Sequence, residues 1–183
     1  MDHQGSDRTR TLRGALAGAV AATAWGLQQP LDKRLFESDY DDVEVLGRAV
    51  ARNGDWRAVG FAIHVANGAL FGAVYAGVAP RLPVAPVLRG PLAALAEHVT
   101  LWPLSAICDR LHPARERLPV LWGNRAAFRQ ATWRHLLFGV VLGEFERRLN
   151  VLPEPAPAAG SAHFSSNGHG SLEHAVVSVH EAG

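Results

Sequence analysis

Few residues in this chain are equipped for chemistry, and those few lie in apolar surroundings: His64, Glu97, His98 and His135, with the amide of Asn67 one turn beyond His64. Imidazole and carboxylate together can hold a divalent metal, paired histidines can ligate haem iron, and a buried carboxylate beside an imidazole can relay protons near neutral pH. The spacing singles out none of these. Glu97 and His98 are adjacent, so on a helix their side chains diverge by about 100°, and neither an HExxH motif nor an i,i+4 histidine pair occurs. A packing role is the simpler reading. His64 and Asn67 can hydrogen-bond a neighbouring helix, Glu97 can pair with an arginine such as Arg134 or with a histidine, and His135 can sit at an interface. Interhelical contacts of this kind contribute only about 0.6 kcal/mol on average in a bilayer, yet they fix which helices pair.

Phosphate-cradling glycine loops, GxSxG elbows and paired catalytic carboxylates at recognisable spacing are absent, so the sequence points away from an enzyme. Cys108 is the sole cysteine, which excludes an intramolecular disulfide and zinc sites built from several cysteines. No cofactor is called for; a metal or haem would require the histidines to converge across helices. His163, His169, His174 and His180 are irregularly spaced and read as solvated side chains, not as a defined metal site.

Something must hold these side chains in place, and the hydropathy pattern says what. With 183 residues, 48% of them hydrophobic, and a net charge of +1, the composition resembles a soluble protein, but the average hides segregation. Residues 58–80 carry no Lys, Arg, Asp or Glu. Measured against the roughly 20 apolar residues that cross a bilayer, four segments are candidate spans: 12–31, 58–80, 90–108 and 131–148. A polar segment, 1–11, precedes them, and the Pro-, Ala-, Gly-, Ser- and His-rich tail, 151–183, is expected to be disordered. Arg8, Arg10 and Arg13 before an apolar run resemble a signal peptide, but the run is longer than an h-region and ends in Gln28, Gln29 and Pro30, so a retained first span is expected.

Between the first two spans, the acidic cluster 39–44 overlaps Val43, Leu46, Ala49 and Val50 at helical spacing and predicts a short amphipathic helix at the interface. The short connection 81–88 predicts that the second and third spans are antiparallel neighbours. Small residues recur every fourth position: Gly14, Gly18, Ala22 and Gly26; Gly60, Gly68, Gly72 and Ala76; Gly139 and Gly143. In lipid, where no hydrophobic drive joins helices, such faces allow close backbone approach. They also predict partners: the lipid bilayer itself, and a homo-oligomer or larger membrane complex formed through small-residue faces. Trp25, Trp56, Trp102, Trp122 and Trp133 suit an interfacial aromatic belt, and no nucleic-acid partner is indicated.

Four stretches carry a family resemblance: AGAVAATAWGLQQP at 17–30, HVANGALFGAVYAGVAPRLP at 64–83, RGPLAALAEHVTLWPLSAICD at 89–109 and WRHLLFGVVLGEFERRLN at 133–150. From the first span to Asn150 the chain resembles the YagU-like family of bacterial inner-membrane proteins. The shared features are a His followed by an apolar stretch and Pro, here His98 and Pro103, and a His near the start of the last span with a basic exit, here His135, Arg147 and Arg148. The connection between the first spans is compact in this chain, and the His-rich tail has no counterpart. The resemblance implies a multi-pass architecture in the cytoplasmic membrane and no particular activity.

The expectation is therefore an all-α polytopic membrane protein: a small bundle of about four transmembrane helices serving as a structural or accessory membrane component. Its rivals are a proton- or ion-linked transporter or permeation module using Glu97 and His98, and a haem- or metal-binding membrane protein.

Overall fold

Among the described residues, 3–51 and 54–150, the computed structural model contains helices and turns and no strand. The elements are α1 (His3–Phe36), α2 (Asp42–Val50), α3 (Trp56–Val78), α4 (Pro86–Leu101), α5 (Ser105–Leu111) and α6 (Arg125–Asn150), with single 3-10 turns at Ala79–Arg81, Trp102–Leu104 and Arg115–Arg117. The tail expected to be disordered, with its four histidines, lies outside the described residues.

Element ends differ from the sequence reading for identifiable reasons. Helix α1 runs to 34 residues and absorbs most of the polar segment 1–11. The third expected span, 90–108, is broken: α4 stops at Leu101, and Pro103, which has no N–H to donate, tightens the chain into a 3-10 turn before α5 begins. Helix α6 starts at Arg125 and not at 131, because Asn124 caps it, its Oδ1 accepting from the N–H groups of Ala126 and Ala127 at 3.1 Å each. At the end of α1, Glu37 takes a left-handed conformation, φ 51°, and the Ser38 N–H reaches back to the Lys33 carbonyl at 3.1 Å. This reversal returns the chain over α1, where Asp41 caps the expected amphipathic helix α2 by accepting from the Glu44 N–H at 3.0 Å.

Small residues decide which helices meet. Helix α1 lies between α3 and α6, α6 also packs on α4, and α2 lies on α3. A side chain at Gly18 would run into the Gly68 carbonyl, and one at Gly72 into the Gly14 carbonyl, so α1 and α3 touch backbone to backbone. Gly90 faces Gly139 and Gly143 in the same way and joins α4 to α6; Gly47 and Gly60 join α2 to α3. The pairings run antiparallel, which puts the start of α1 and the end of α6 at the same end of the bundle. The glycine faces are thus occupied within one chain. The expectation that the second and third spans are neighbours is corrected: α3 and α4 make no substantial contact despite their short connection. Each has its glycine face committed to another helix, and a gap is left between them.

Burial is inverted relative to a water-soluble helical protein. The interior holds alanine and glycine, a few larger groups such as Trp25, Tyr75, Phe138 and Leu142, and charged side chains, Arg134 and Asp32 among them. The outer surface carries the large aliphatics, including Leu27 at 74% exposure, Leu70 at 67% and Val99 at 63%. Among the described residues one helical stretch, Trp56–Arg81, is long and apolar enough to cross a membrane by length and composition. The other long helices are diluted by inward polar groups, such as Gln28, Gln29 and Asp32 on α1 and Gln130, Arg134 and Glu146 on α6.

Candidate functional site

Two layers of buried polar groups sit against one cavity. The deeper layer is built around Arg134, a fully buried guanidinium on α6. Its Nε donates to Asp32 Oδ2 and its Nη2 to Asp32 Oδ1, both at 2.6 Å, while Nη1 donates to Asp42 Oδ2 at 2.7 Å. Gln130, one turn earlier on α6, donates to Asp32 Oδ1 at 2.6 Å, and Gln28 donates to Asp32 Oδ2, so every acceptor position of Asp32 is filled. Asp42, at the first turn of α2, also accepts from the Tyr40 hydroxyl at 2.5 Å and the Trp25 indole N–H at 3.2 Å. Burial alone would raise the Asp42 carboxyl, but the Arg134 guanidinium and the Tyr40 hydroxyl outweigh it and hold it below the usual carboxylate range. Burial, followed by the Asp42 charge, pushes the Tyr40 phenol well above its ordinary value, so it stays protonated and donates.

The second layer contains the residues singled out in the sequence. His64, Asn67, Glu97, His98 and His135 all line one cavity of about 340 Å³, contributed by α3, α4 and α6 and floored by Trp25. Asn67 is exposed at its rim, while His64 and His98 are buried. Glu97 and His98 do not pair with each other, as their divergence on the helix requires, but they converge on His135. Glu97 Oε2 lies 3.0 Å from His135 Nε2, and the His98 ring is tilted over the His135 ring at 4.5 Å between centroids. Trp25 stands edge-on to His64 at 5.1 Å and to His135 at 4.7 Å. Arg134, offered by the sequence as a partner for Glu97, is engaged elsewhere, with Asp32 and Asp42.

Hydrogen-bond partners assign the protons. His135 Nδ1 lies 2.7 Å from the Ala131 carbonyl, which only accepts, so Nδ1 bears a hydrogen. Its Nε2 then faces the Glu97 carboxylate, a contact that becomes an ion pair when the ring is protonated. The Thr132 hydroxyl donates to the Phe128 carbonyl at 2.8 Å, so His98 Nε2, 3.0 Å from that hydroxyl, is the donor and His98 Nδ1 keeps its lone pair in the neutral ring. His64 Nε2 donates to the Ala22 carbonyl at 3.1 Å, leaving its Nδ1 likewise free.

Among the described residues no three His, Cys, Asp or Glu side chains are grouped so as to hold a metal ion. The two histidine rings that approach each other are stacked and do not aim nitrogens at a common centre, an arrangement unsuited to haem iron. Asp32, Tyr40, Asp42 and Gln130 were not singled out in the sequence, although Gln130, Arg134, Phe138, Leu142 and Glu146 recur every fourth residue and trace the inner face of α6. At the opposite end of the bundle Arg10 pairs with buried Glu146 at 2.8 Å and donates to the Ala76 carbonyl at 2.7 Å, tying α1, α3 and α6 together.

Fold and site together define an all-helical protein with one helix long and apolar enough to cross a membrane and a largely apolar cavity that carries a few polar side chains. No family model, curated protein or solved structure matches the chain.

Proposed function

We propose that this is an integral protein of the cytoplasmic membrane in which α1, α3, α4 and α6 lie in the bilayer as a four-helix bundle, acting as a structural or accessory membrane component. The observation that carries the reading is the inverted burial: small and charged residues inside, large aliphatics outside. A soluble protein seldom exposes so much contiguous apolar surface, whereas lipid is as apolar as leucine and removes the penalty. Dimensions support it as well, since about 33 Å of α1 separates Arg10 from Asp32, close to the roughly 30 Å of a hydrocarbon core. Between them only Arg13 is charged, near the end of the run. The resemblance to YagU-like proteins points the same way. Because the glycine faces are occupied within the chain, self-association would use the outer aliphatic surface.

Membrane fractionation tests the reading. The expressed protein is expected to stay in the membrane pellet after alkaline carbonate washing and to be released by detergent alone. A monodisperse protein in detergent-free buffer would overturn it.

The proton-linked reading has an observation of its own, the 3.0 Å approach of Glu97 Oε2 to His135 Nε2 beside the cavity. It shifts the working pair from Glu97 with His98 to Glu97 with His135.

A further inference from the structure

We propose that the cavity between α3 and α4 binds a hydrophobic monocation, a primary ammonium group on an aromatic or aliphatic body. The inference deepens the membrane reading and rests on it for the route of entry: α3 and α4 do not pack on one another, so a lipid-dissolved molecule reaches the cavity sideways.

Charge comes first. The carboxylates at and behind the cavity are Asp32, Asp42 and Glu97; against them stand the Arg134 guanidinium and, counted in full, a protonated His135 ring. One negative charge is left over. The groups facing the pair are His98 on its own wall, Asp42 from α2, His64 from α3, Arg134 and Tyr40 behind, and Cys108 from α5. None of them supplies the missing positive charge. An anion is disfavoured here, and a metal ion lacks a ligand set.

Hydrogen-bonding capacity comes second, and it is skewed towards acceptors. The Nδ1 lone pairs of His64 and His98 are unused. Ser105 lines the cavity, is nine-tenths buried, and its hydroxyl oxygen has no partner. A ligand that only accepts could take the Ser105 O–H but would leave both imidazole lone pairs unsatisfied, while an ammonium supplies three donors. Aromatic walls come third: Trp25, Trp102, Phe71 and Phe138 line the cavity, and ring faces attract cations, most of all where water is excluded.

The test uses the full-length protein seated in lipid nanodiscs, with intrinsic tryptophan fluorescence following three probes of similar shape: phenethylammonium, the neutral propylbenzene and the anionic 3-phenylpropionate, each corrected against empty discs. Saturable binding of phenethylammonium, about tenfold or more tighter than propylbenzene, with no binding of the anion, is expected. Glu97→Gln, which removes the carboxylate not engaged by Arg134, should weaken phenethylammonium and not propylbenzene, and Ser105→Ala should do the same to a smaller extent. Equal affinity for the cation and its neutral counterpart, or an affinity for the cation unchanged in Glu97→Gln, would overturn the proposal. Failure to incorporate into the discs would instead overturn the membrane reading.

Discussion

Arg134 meets Asp32 edge to edge, two parallel hydrogen bonds of 2.6 Å joining α6 to the end of α1 inside a bundle whose other contacts are mostly glycine and alanine. Such a fork fixes both the distance and the rotation of the two helices. It also places Asp42 and Tyr40, through Nη1 and the Tyr40 carbonyl, at the head of the cavity.

Removing one partner of a buried ion pair leaves the other uncompensated. Arg134→Ala is expected to destabilise the protein by about 3 to 5 kcal/mol, seen as a lowered melting temperature in detergent. Arg134→Lys, which keeps the charge but not the fork, should fall between the two.

The glycines divide into those in contact and those in the open. Gly18→Val would drive a side chain into the Gly68 carbonyl and should abolish the folded species, judged by loss of a single gel-filtration peak. Gly77, on α3 with nothing near its position for a side chain, should accept alanine and gain up to about 1 kcal/mol of helix propensity.

Acid should weaken the bundle through Asp42. Its carboxyl is held below the usual range in the folded chain, so the stabilisation is complete above the unfolded value of about 3.9 and disappears as pH falls through the folded value. Melting temperature in detergent should therefore be level from neutral pH to about pH 5 and then drop. Asp42→Asn should melt lower at neutral pH, and its difference from the parent should shrink in acid.

Leu70 is 67% exposed on α3, a position where water would tolerate aspartate. In lipid the same change costs about 2.5 to 3.5 kcal/mol at a span centre. Leu70→Asp is expected to reduce the membrane-inserted fraction, measured by carbonate-resistant pelleting, while Arg115→Asp on the exposed connecting turn should not.

Much of this architecture is visible in the one-dimensional pattern, because close helix approach demands glycine at fixed spacing: Gly14, Gly18 and Ala22 do meet Gly68, Gly72 and Ala76. The break at Pro103 was visible as a residue and not as a consequence. Which helix lies beside which was not legible, since a short connection suggests adjacency for α3 and α4 and only matching of glycine surfaces in three dimensions excludes it. The cavity residues were legible as polar exceptions in apolar runs. Their convergence on His135 depends on α4 packing against α6. Asp32 and Asp42 were hidden because they sit at helix ends, in a stretch whose polarity reads as a loop, and their partner Arg134 is about a hundred positions away.

That separation has a consequence for synthesis. Helix α1 leaves the ribosome first and carries Asp32, but the guanidinium that neutralises it emerges 102 residues later, after about 5 to 20 s at ordinary elongation rates. Until then Asp32 lacks its fork and α4 lacks the helix it packs on, although α3 can already pair with α1 and α2 through their glycine faces. Arrival of α6 supplies both. The last helix made is thus the latch of the assembly, and a chain interrupted before Arg134 is left with an unpaired Asp32.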